Sequence, residues 1–196
     1  MSGKTMSGKT IATCTWRALG WDGDDTCRLA RVDQGWLLIG HARFRDDLGY
    51  AALDYTLRCD HDWHTISADV AGLHGDLEVR IRITHGPEGW ILNGAVQPDV
   101  DAADDIDLSF TPATNLMPLR RLRASGHFDI RLRAAWLRYP QAVLHPLDQT
   151  YGVLKEAGEI SYASAQTGFA TTLEVDETGF VTLYPGLWQG EVTHAA

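Results

Sequence analysis

Two acidic and two basic residues near the middle of the chain are spaced so that they could pair. Asp105 and Asp107 share the polar face of a predicted strand, and Arg120 and Arg121 follow in a run with helical spacing. Residues two apart on a strand share a face, whereas adjacent helical residues do not. We therefore expect one arginine to form a forked ion pair with Asp105 or Asp107 and to lock the helix to the strand.

A second interpretation gives the same arginines a role in binding. A guanidinium group of Arg120 or Arg121 would hold an anionic or polar headgroup while apolar strand faces take a tail. Asn115 and Thr114 stand just before the helical run, and the side-chain oxygen of either one is suited to cap the first turn. The sequence alone leaves both interpretations of the arginines open.

Metal ligands are present but poorly arranged. Residues 59–64, Cys-Asp-His-Asp-Trp-His, bring thiol, carboxylate and imidazole groups together. On a continuing strand, His61 and His64 would lie on opposite faces, and no second ligand pair follows. The aspartates of residues 99–107 fail the pattern of a calcium loop, since Ala103 occupies a ligand position and Phe110 replaces the bidentate Glu. We expect no metal and no cofactor.

Residues suited to catalysis are scattered along the chain. There is no Gly-x-Ser-x-Gly nucleophile motif, and the eight histidines have no carboxylate partner that the pattern can place. His145, close to Asp148, is the best single candidate for acid–base work. We therefore expect a binding protein rather than an enzyme, and we assign no catalytic residue.

The net charge of the chain argues against some classes of binding partner. The 196 residues carry a formal net charge of -9, which argues against nucleic acid and against an anionic membrane surface. No apolar run approaches the roughly 18 residues of a membrane span. The three cysteines are an odd number without metal-binding spacing. We expect reduced thiols in a cytoplasmic protein.

The chain begins with the pentapeptide Met-Ser-Gly-Lys-Thr written twice. Gly3, Gly8, Lys9 and Thr10 match a phosphate-binding Walker A motif in letters, but that motif needs a preceding strand and a following helix. Here a strand-like pattern follows. We expect residues 1–10 to be disordered and residues 11–196 to form a single domain.

From residue 11 onward, the main signal is alternation of apolar and polar residues. It is clear in the runs 36–45, 53–59, 77–84, 128–136 and 169–176. This period is typical of antiparallel strands with one packed and one exposed face. A short helix is predicted at about 115–123, after Pro112 ends the strand pattern. We predict a mainly β fold, a single long antiparallel sheet curled around this central helix.

Residues 105–122 resemble a family signature. The family pattern is Asp-x-Asp-Leu-Gly-Phe-Thr-Pro-Ala-Thr-Asn-x-Leu-Pro-Ile-Arg-Arg-Leu, and this chain departs from it at Ser109, Met117 and Leu119. Further matches begin at Tyr55, Tyr-x-x-x-Cys-Asp-x-x-Trp, and at Pro146, Pro-Leu-x-Gln-x-Tyr. The family is bacterial and is described as putative glycolipid-binding. The resemblance covers about residues 14–190 and implies a spiral β-roll.

The resemblance implies a ligand with a polar head and an apolar tail. We expect an apolar cleft of the curled sheet to bind a lipid-like or glycolipid-like molecule. The residues expected to bind it are Arg120, Arg121, Asn115, Asp107, Trp63, Trp136 and Tyr184. Two alternatives stand beside this one: a structural or interaction protein that forms a homodimer, or an enzyme acting on lipid or sugar substrates.

Overall fold

A computed structural model describes residues 8–153 and 158–195 of the chain. The first strand begins at Lys9, two residues before the expected start of the domain. Lys9 and Thr10 therefore belong to a strand and not to a loop that opens a helix, which argues against a phosphate-binding loop. The rest of the N-terminus predicted to be disordered, residues 1–7, lies outside the described residues.

Most of the described chain is β-strand, as predicted. The strands are β1 (Lys9–Ala18), β2 (Gly23–Val32), β3 (Gly35–Asp46), β4 (Gly49–Cys59), β5 (Thr65–His74), β6 (Leu77–Gly86), β7 (Gly89–Leu92), β8 (Ala95–Val96), β9 (Asp105–Leu108), β10 (Arg131–Leu137), β11 (Leu144–Val153), β12 (Glu159–Ser164), β13 (Phe169–Val175), β14 (Val181–Tyr184) and β15 (Trp188–His194). The helical elements are one α-helix, α1 (Leu116–Ser125), and two short 3-10 helices, Pro98–Val100 and Pro112–Asn115.

All fifteen of these strands belong to one open sheet. Its order is β8-β7-β6-β5-β4-β3-β2-β1-β15-β14-β13-β12-β11-β10-β9. Neighbours in the sheet are consecutive in the chain, except where β1 pairs with β15 and joins the two halves. A sheet of this length accumulates twist and curls. The predicted curled sheet is confirmed.

The sheet is mixed, so the prediction of a purely antiparallel sheet is wrong at one pair. β9 runs parallel to β10, with Asp107 opposite Trp136. The other pairs of the described strands are antiparallel. The exception follows from the helix, because the chain leaves β9, passes through α1 and returns in the same direction.

The helix begins through a 3-10 turn that Thr111 caps. The Thr111 side chain accepts a hydrogen bond of 3.0 Å from the Ala113 N–H. Asn115 occupies the N-cap position of α1, but its side chain makes no capping bond, so that part of the prediction is wrong. α1 ends at Gly126, whose left-handed conformation (φ 69°) is one that glycine adopts without strain. The predicted helix is confirmed, with an end two residues later.

The helix fills the inside of the curl. Its apolar residues are buried in one cluster with the inner faces of the strands: Leu116, Met117, Leu119 and Leu122. The alternation in the runs 77–84 and 128–136 predicts that their apolar residues, including Leu77 and Ile130, face inward. For these two the prediction is wrong, because Leu77 lies at a hairpin tip and Ile130 precedes β10, and both are exposed. Within residues 8–153 and 158–195, no helix has the length and apolar character that a membrane crossing requires.

Candidate ligand-binding cleft

A cleft opens where the N-terminal end of α1 meets the second half of the sheet. We call it the Asp107 cleft, and its volume is about 240 Å³. β9 and the turn that follows it supply one part of the lining, and β10 to β15 supply much of the rest. Most of the lining is aromatic or aliphatic: Leu108, Trp136, Leu147, Tyr162, Phe169, Tyr184, Leu187 and Trp188.

Asp107 provides the carboxylate of this cleft. Gln149 Nε2 donates to Asp107 Oδ2 at 3.1 Å and to the Tyr162 hydroxyl at 3.0 Å. The other carboxylate oxygen of Asp107 has no hydrogen-bond partner among the described residues. Burial raises the pKa of Asp107 to about 6, although the bond from Gln149 opposes this rise. Asp107 therefore keeps an acceptor free for a ligand.

Asn115 lines the cleft with its amide already oriented. Its Nδ2 donates to the Pro112 carbonyl at 3.1 Å, and its Oδ1 accepts from the Tyr151 hydroxyl at 2.9 Å. A primary amide has two donors and two acceptor lone pairs. Asn115 thus retains capacity for one further bond in each direction after its structural bonds are made.

A buried carboxylate below the cleft fixes Thr111. Asp25 Oδ2 accepts hydrogen bonds from the Thr111 hydroxyl and from the Tyr55 hydroxyl, the latter at 2.8 Å. Asp25 is fully buried, and its Oδ1 has no partner in the described part of the chain. Burial raises the pKa of Asp25 to about 6. Gly40 makes room here, since a Cβ at this position would lie 2.0 Å from the Tyr55 ring.

Aromatic rings form much of the remaining wall. The Tyr184 ring centroid lies 5.7 Å from that of Tyr162 and 5.8 Å from that of Phe169. Trp136 lies beside Asp107 because the two are partners in the parallel pair of β9 and β10. Ring faces next to carboxylate and amide groups suit a sugar, whose C–H face packs on an aromatic ring while its hydroxyls make hydrogen bonds.

The structure brings four of the seven predicted ligand-binding residues to this cleft. They are Asp107, Asn115, Trp136 and Tyr184. The sequence reasoning missed most of the aromatic wall and the glutamine below it: Tyr162, Phe169, Trp188 and Gln149. The alternating pattern placed Phe169 on an inner face, but the pattern carries no signal that β12, β13 and β9 meet around one cleft.

Arg121 forms the forked ion pair that the sequence predicted. Its Nη1 and Nη2 donate to the two carboxylate oxygens of Asp105, both at 2.6 Å, and Nη1 also donates to the Trp63 carbonyl at 3.2 Å. Asp105 is buried, so its predicted solvent-facing position is wrong. A buried carboxylate requires such a partner. Arg121 thereby fastens α1 to β9.

Arg120 contacts a different part of the sheet, as expected of adjacent helical residues. Its guanidinium carbon lies 4.8 Å from the Trp63 ring centroid and 5.9 Å from that of Trp36. These two indoles stack with centroids 4.2 Å apart. Arg120 and Trp63 thus form a cation–π cluster, and neither lines the Asp107 cleft.

Two larger depressions have weaker chemistry for a ligand. One, of about 530 Å³, borders the C-terminal end of α1 and is lined by two of the predicted ligand-binding residues, Trp63 and Arg121, of which Arg121 is already bound by Asp105. The other, of about 640 Å³, is lined by Trp16, Ala18 and Trp21 together with exposed charged residues such as Arg17 and Glu191. Across residues 8–153 and 158–195, no group of three or more His, Cys, Asp or Glu side chains is placed to hold a metal ion. The Asp107 cleft is the better candidate.

The fold and the cleft together define a class of protein: an open β-sheet rolled around one helix, with a concave site beside the helix. The family model described as putative glycolipid-binding matches residues 13–190, and the chain belongs to that family. The chain is similar to a DUF1089 family protein from Pseudomonas aeruginosa, whose crystal structure at 1.80 Å gives a TM-score of 0.72. The two are 29% identical, over 86% of this chain and 91% of that one. A search of the curated proteins gives no match.

Proposed function

We propose that the protein is a non-catalytic binding protein that holds the sugar headgroup of a glycolipid-like molecule in the Asp107 cleft. The observation that carries the proposal is a carboxylate with one unpartnered oxygen, set among aromatic rings. The description of the family supports the same class of ligand.

The size and charge of the cleft suit one sugar ring. Its volume of about 240 Å³ is below the roughly 300–1,000 Å³ of sites for larger small molecules. The free oxygen of Asp107 would accept a bond from a sugar hydroxyl, and Asn115 would donate or accept a second. An anionic headgroup fits poorly, because the Asp107 carboxylate would repel it. The ligand head is therefore neutral or cationic.

An enzyme acting on a sugar substrate is the second candidate. The raised pKa of Asp107, caused by burial, is a feature that active-site carboxyl groups share. Glycoside hydrolysis, however, uses two carboxyl groups on either side of the bond. Asp107 is the one carboxylate among the described residues that line this cleft. The lining therefore favours binding over hydrolysis.

Calorimetric titration with octyl glucoside, kept below its micelle concentration, tests the proposal. We expect saturable binding to one site, and at least tenfold weaker binding in Asp107→Asn or Trp136→Ala. Asp33→Asn, at an exposed turn, is the matched control and should bind as the wild type does. Octyl phosphocholine, which has the same chain and no sugar, should bind much more weakly.

Two results would contradict the proposal. One is equal binding of octyl glucoside and octyl phosphocholine, and the other is an unchanged affinity in Asp107→Asn. Release of nitrophenol from a nitrophenyl glucoside, lost in Asp107→Asn, would instead support the enzyme.

A homodimer is a separate proposal, carried over from the sequence. Sedimentation over micromolar concentrations tests it, and a monomer throughout that range would contradict it.

A cytoplasmic location is also proposed. The three cysteines are free and buried, which is consistent with a reducing compartment. Cell fractionation tests this location, and recovery of the protein with an envelope fraction would contradict it.

A further inference from the structure

Two smaller clefts continue from the Asp107 cleft, and each junction has a shared residue. Ser109 lines the Asp107 cleft and also a cleft of about 220 Å³, the aromatic cleft, walled by Trp21, Phe44, Phe110 and Tyr139. Tyr139 in turn lines a third cleft of about 200 Å³, the aliphatic cleft, which includes Leu48, Leu77, Val79, Ile81 and Ala142. Each cleft therefore lies next to the following one, and we call the three together the row.

The wall continues across the first junction. Trp188 of the Asp107 cleft meets Trp21 of the aromatic cleft edge-on, with ring centroids 4.9 Å apart. Trp21 then meets Phe44 with centroids 6.2 Å apart. These contacts join the sugar-sized end of the row to the aromatic cleft through a single series of rings.

Hydrogen bonds hold Tyr139, the residue shared by the aromatic and aliphatic clefts. The Tyr139 N–H donates to Ser109 Oγ at 3.0 Å. The Tyr139 hydroxyl is hydrogen-bonded to His74 Nδ1 at 2.9 Å, and His74 Nε2 is hydrogen-bonded to Asp46 at 2.7 Å. The Tyr139 ring also meets Phe110 edge-on at 5.5 Å. Tyr139 therefore has a fixed position between the aromatic and aliphatic clefts.

The two ends of the row differ in the groups that they present to a ligand. The unpartnered oxygen of Asp107 lies at one end. At the other end, Leu48 and Leu77 are 51% and 63% exposed. Neighbouring exposed apolar side chains mark surfaces that another apolar group covers.

The charged groups that border the row already have partners. Arg80 donates to Glu78 at 2.6 Å, Arg45 lies 3.8 Å from Asp22, and Asp46 is bound by His74 as described above. Because these charged groups already have partners, the row beyond Ser109 offers a ligand mainly the apolar side chains that line it.

We propose that this row is the path of a single apolar chain, which runs from a sugar ring in the Asp107 cleft through the aromatic cleft into the aliphatic cleft. The inference rests on the proposed function and names the class of ligand: a glycoside that carries one long unbranched apolar chain.

A series of methyl, hexyl, octyl, decyl and dodecyl glucosides tests the path, with each compound below its micelle concentration. Methyl glucoside reports the headgroup alone. Burial of one methylene tightens binding by up to about fourfold, the equivalent of roughly 0.8 kcal/mol. We expect affinity to rise by at least twofold per methylene through the long-chain members. Affinity that does not change with chain length would overturn the inference.

A pair of variants at one hairpin locates the end of the path. Leu77 lines the aliphatic cleft, while Leu73, on the same hairpin and 56% exposed, does not. Because both are exposed, substitution with Gln should preserve the fold. Leu77→Gln should weaken dodecyl glucoside at least fivefold more than it weakens octyl glucoside. Leu73→Gln should change neither.

The outcomes separate this inference from the proposed function. If no glucoside in the series binds, the proposed function fails. If methyl and octyl glucosides bind and the longer chains gain nothing, the headgroup site stands and the path is wrong. Equal effects of Leu73→Gln and Leu77→Gln would also refute the path. They would show that the alkyl chain of the ligand does not prefer the aliphatic cleft over the neighbouring surface.

Discussion

Asp105 and Asp107 lie two residues apart on one strand, yet the fold gives them opposite surroundings. Both oxygens of Asp105 are bound by Arg121 at 2.6 Å, whereas Asp107 has one amide partner at 3.1 Å and one free oxygen. A forked cation saturates a buried carboxylate, while a single neutral donor leaves it able to bind something else. The partner, and not the residue type or its spacing, separates a structural aspartate from a candidate binding one.

The same contrast runs along the helix. Its second half is fastened to β9 through Arg121 and contacts the indoles through Arg120. Its N-terminal turn instead borders a cleft, and Asn115 there retains hydrogen-bonding capacity. Rigid attachment at one end is consistent with a preorganised site at the other.

The largest expected effect comes from breaking the saturated pair. Arg121→Ala should lower the free energy of unfolding by about 3–5 kcal/mol, because Asp105 then remains buried without a counter-charge. Urea denaturation at pH 7 measures the change. Replacement of both residues, Asp105→Leu with Arg121→Met, should recover much of the loss, since it leaves no buried charge. If Arg121→Ala lowered the free energy of unfolding by less than about 1 kcal/mol, the ion pair would not be what holds α1 to β9.

Asp25 is a third buried aspartate, and its effect on stability should depend on pH. The folded pKa of Asp25 is raised by burial from 3.8 to about 6, so the folded state holds this proton more tightly than the unfolded chain does. Its contribution to stability is therefore fully present below about pH 4 and is lost as the pH rises through about 6. The loss amounts to about 3 kcal/mol.

Asp25→Asn should remove that contribution to the pH dependence. Urea denaturation of both proteins between pH 4 and pH 7 measures it. The difference in stability between wild type and variant should change by about 2–3 kcal/mol across this window, in favour of the variant at the higher pH. A constant difference across the window would show that Asp25 does not keep its proton in the folded state.

The free oxygen of Asp107 predicts a smaller effect, and one on binding. Burial raises the pKa of Asp107 to about 6, so the charged acceptor is present above this pH and lost below it. The affinity for octyl glucoside should rise by about tenfold, or roughly 1.4 kcal/mol, as the pH increases through 6. In Asp107→Asn the titration should show no such rise. A pH-dependent affinity that survives in Asp107→Asn would assign the effect to another group.

The smallest effect is expected at the far side of the helix. Arg120→Ala removes a cation–π contact with Trp63 and should cost about 0.5–1 kcal/mol of stability. Its affinity for octyl glucoside should equal that of the wild type, because Arg120 does not line the Asp107 cleft. Denaturation and calorimetry measure the two quantities. Lost affinity with unchanged stability would restore Arg120 to the binding site.

The ion pair between α1 and β9 could be predicted from the sequence, but the Asp107 cleft could not. A strand followed closely by a helix brings Asp105 and Arg121 near each other through local geometry, so their ion pair could be predicted from spacing. The partner of Asp107 could not, because Gln149 lies on β11 and reaches Asp107 only through the pairing of β9, β10 and β11. The ligand-binding interpretation of Arg120 and Arg121 rested on the chemistry of a guanidinium group. In the structure, Arg121 pairs with Asp105 and Arg120 lies over the Trp63 ring.

The sequence by itself determined the alternation that makes the strands, the break at Pro112, the short helix and the membership of the family. These properties depend on neighbours in the chain and on the fixed periods of strand and helix. The tertiary structure alone decided that β9 pairs in parallel with β10, which places Trp136 opposite Asp107. It also decided which carboxylate is saturated and which stays free, because burial and hydrogen-bond partners are set by distance in space and not by spacing along the chain.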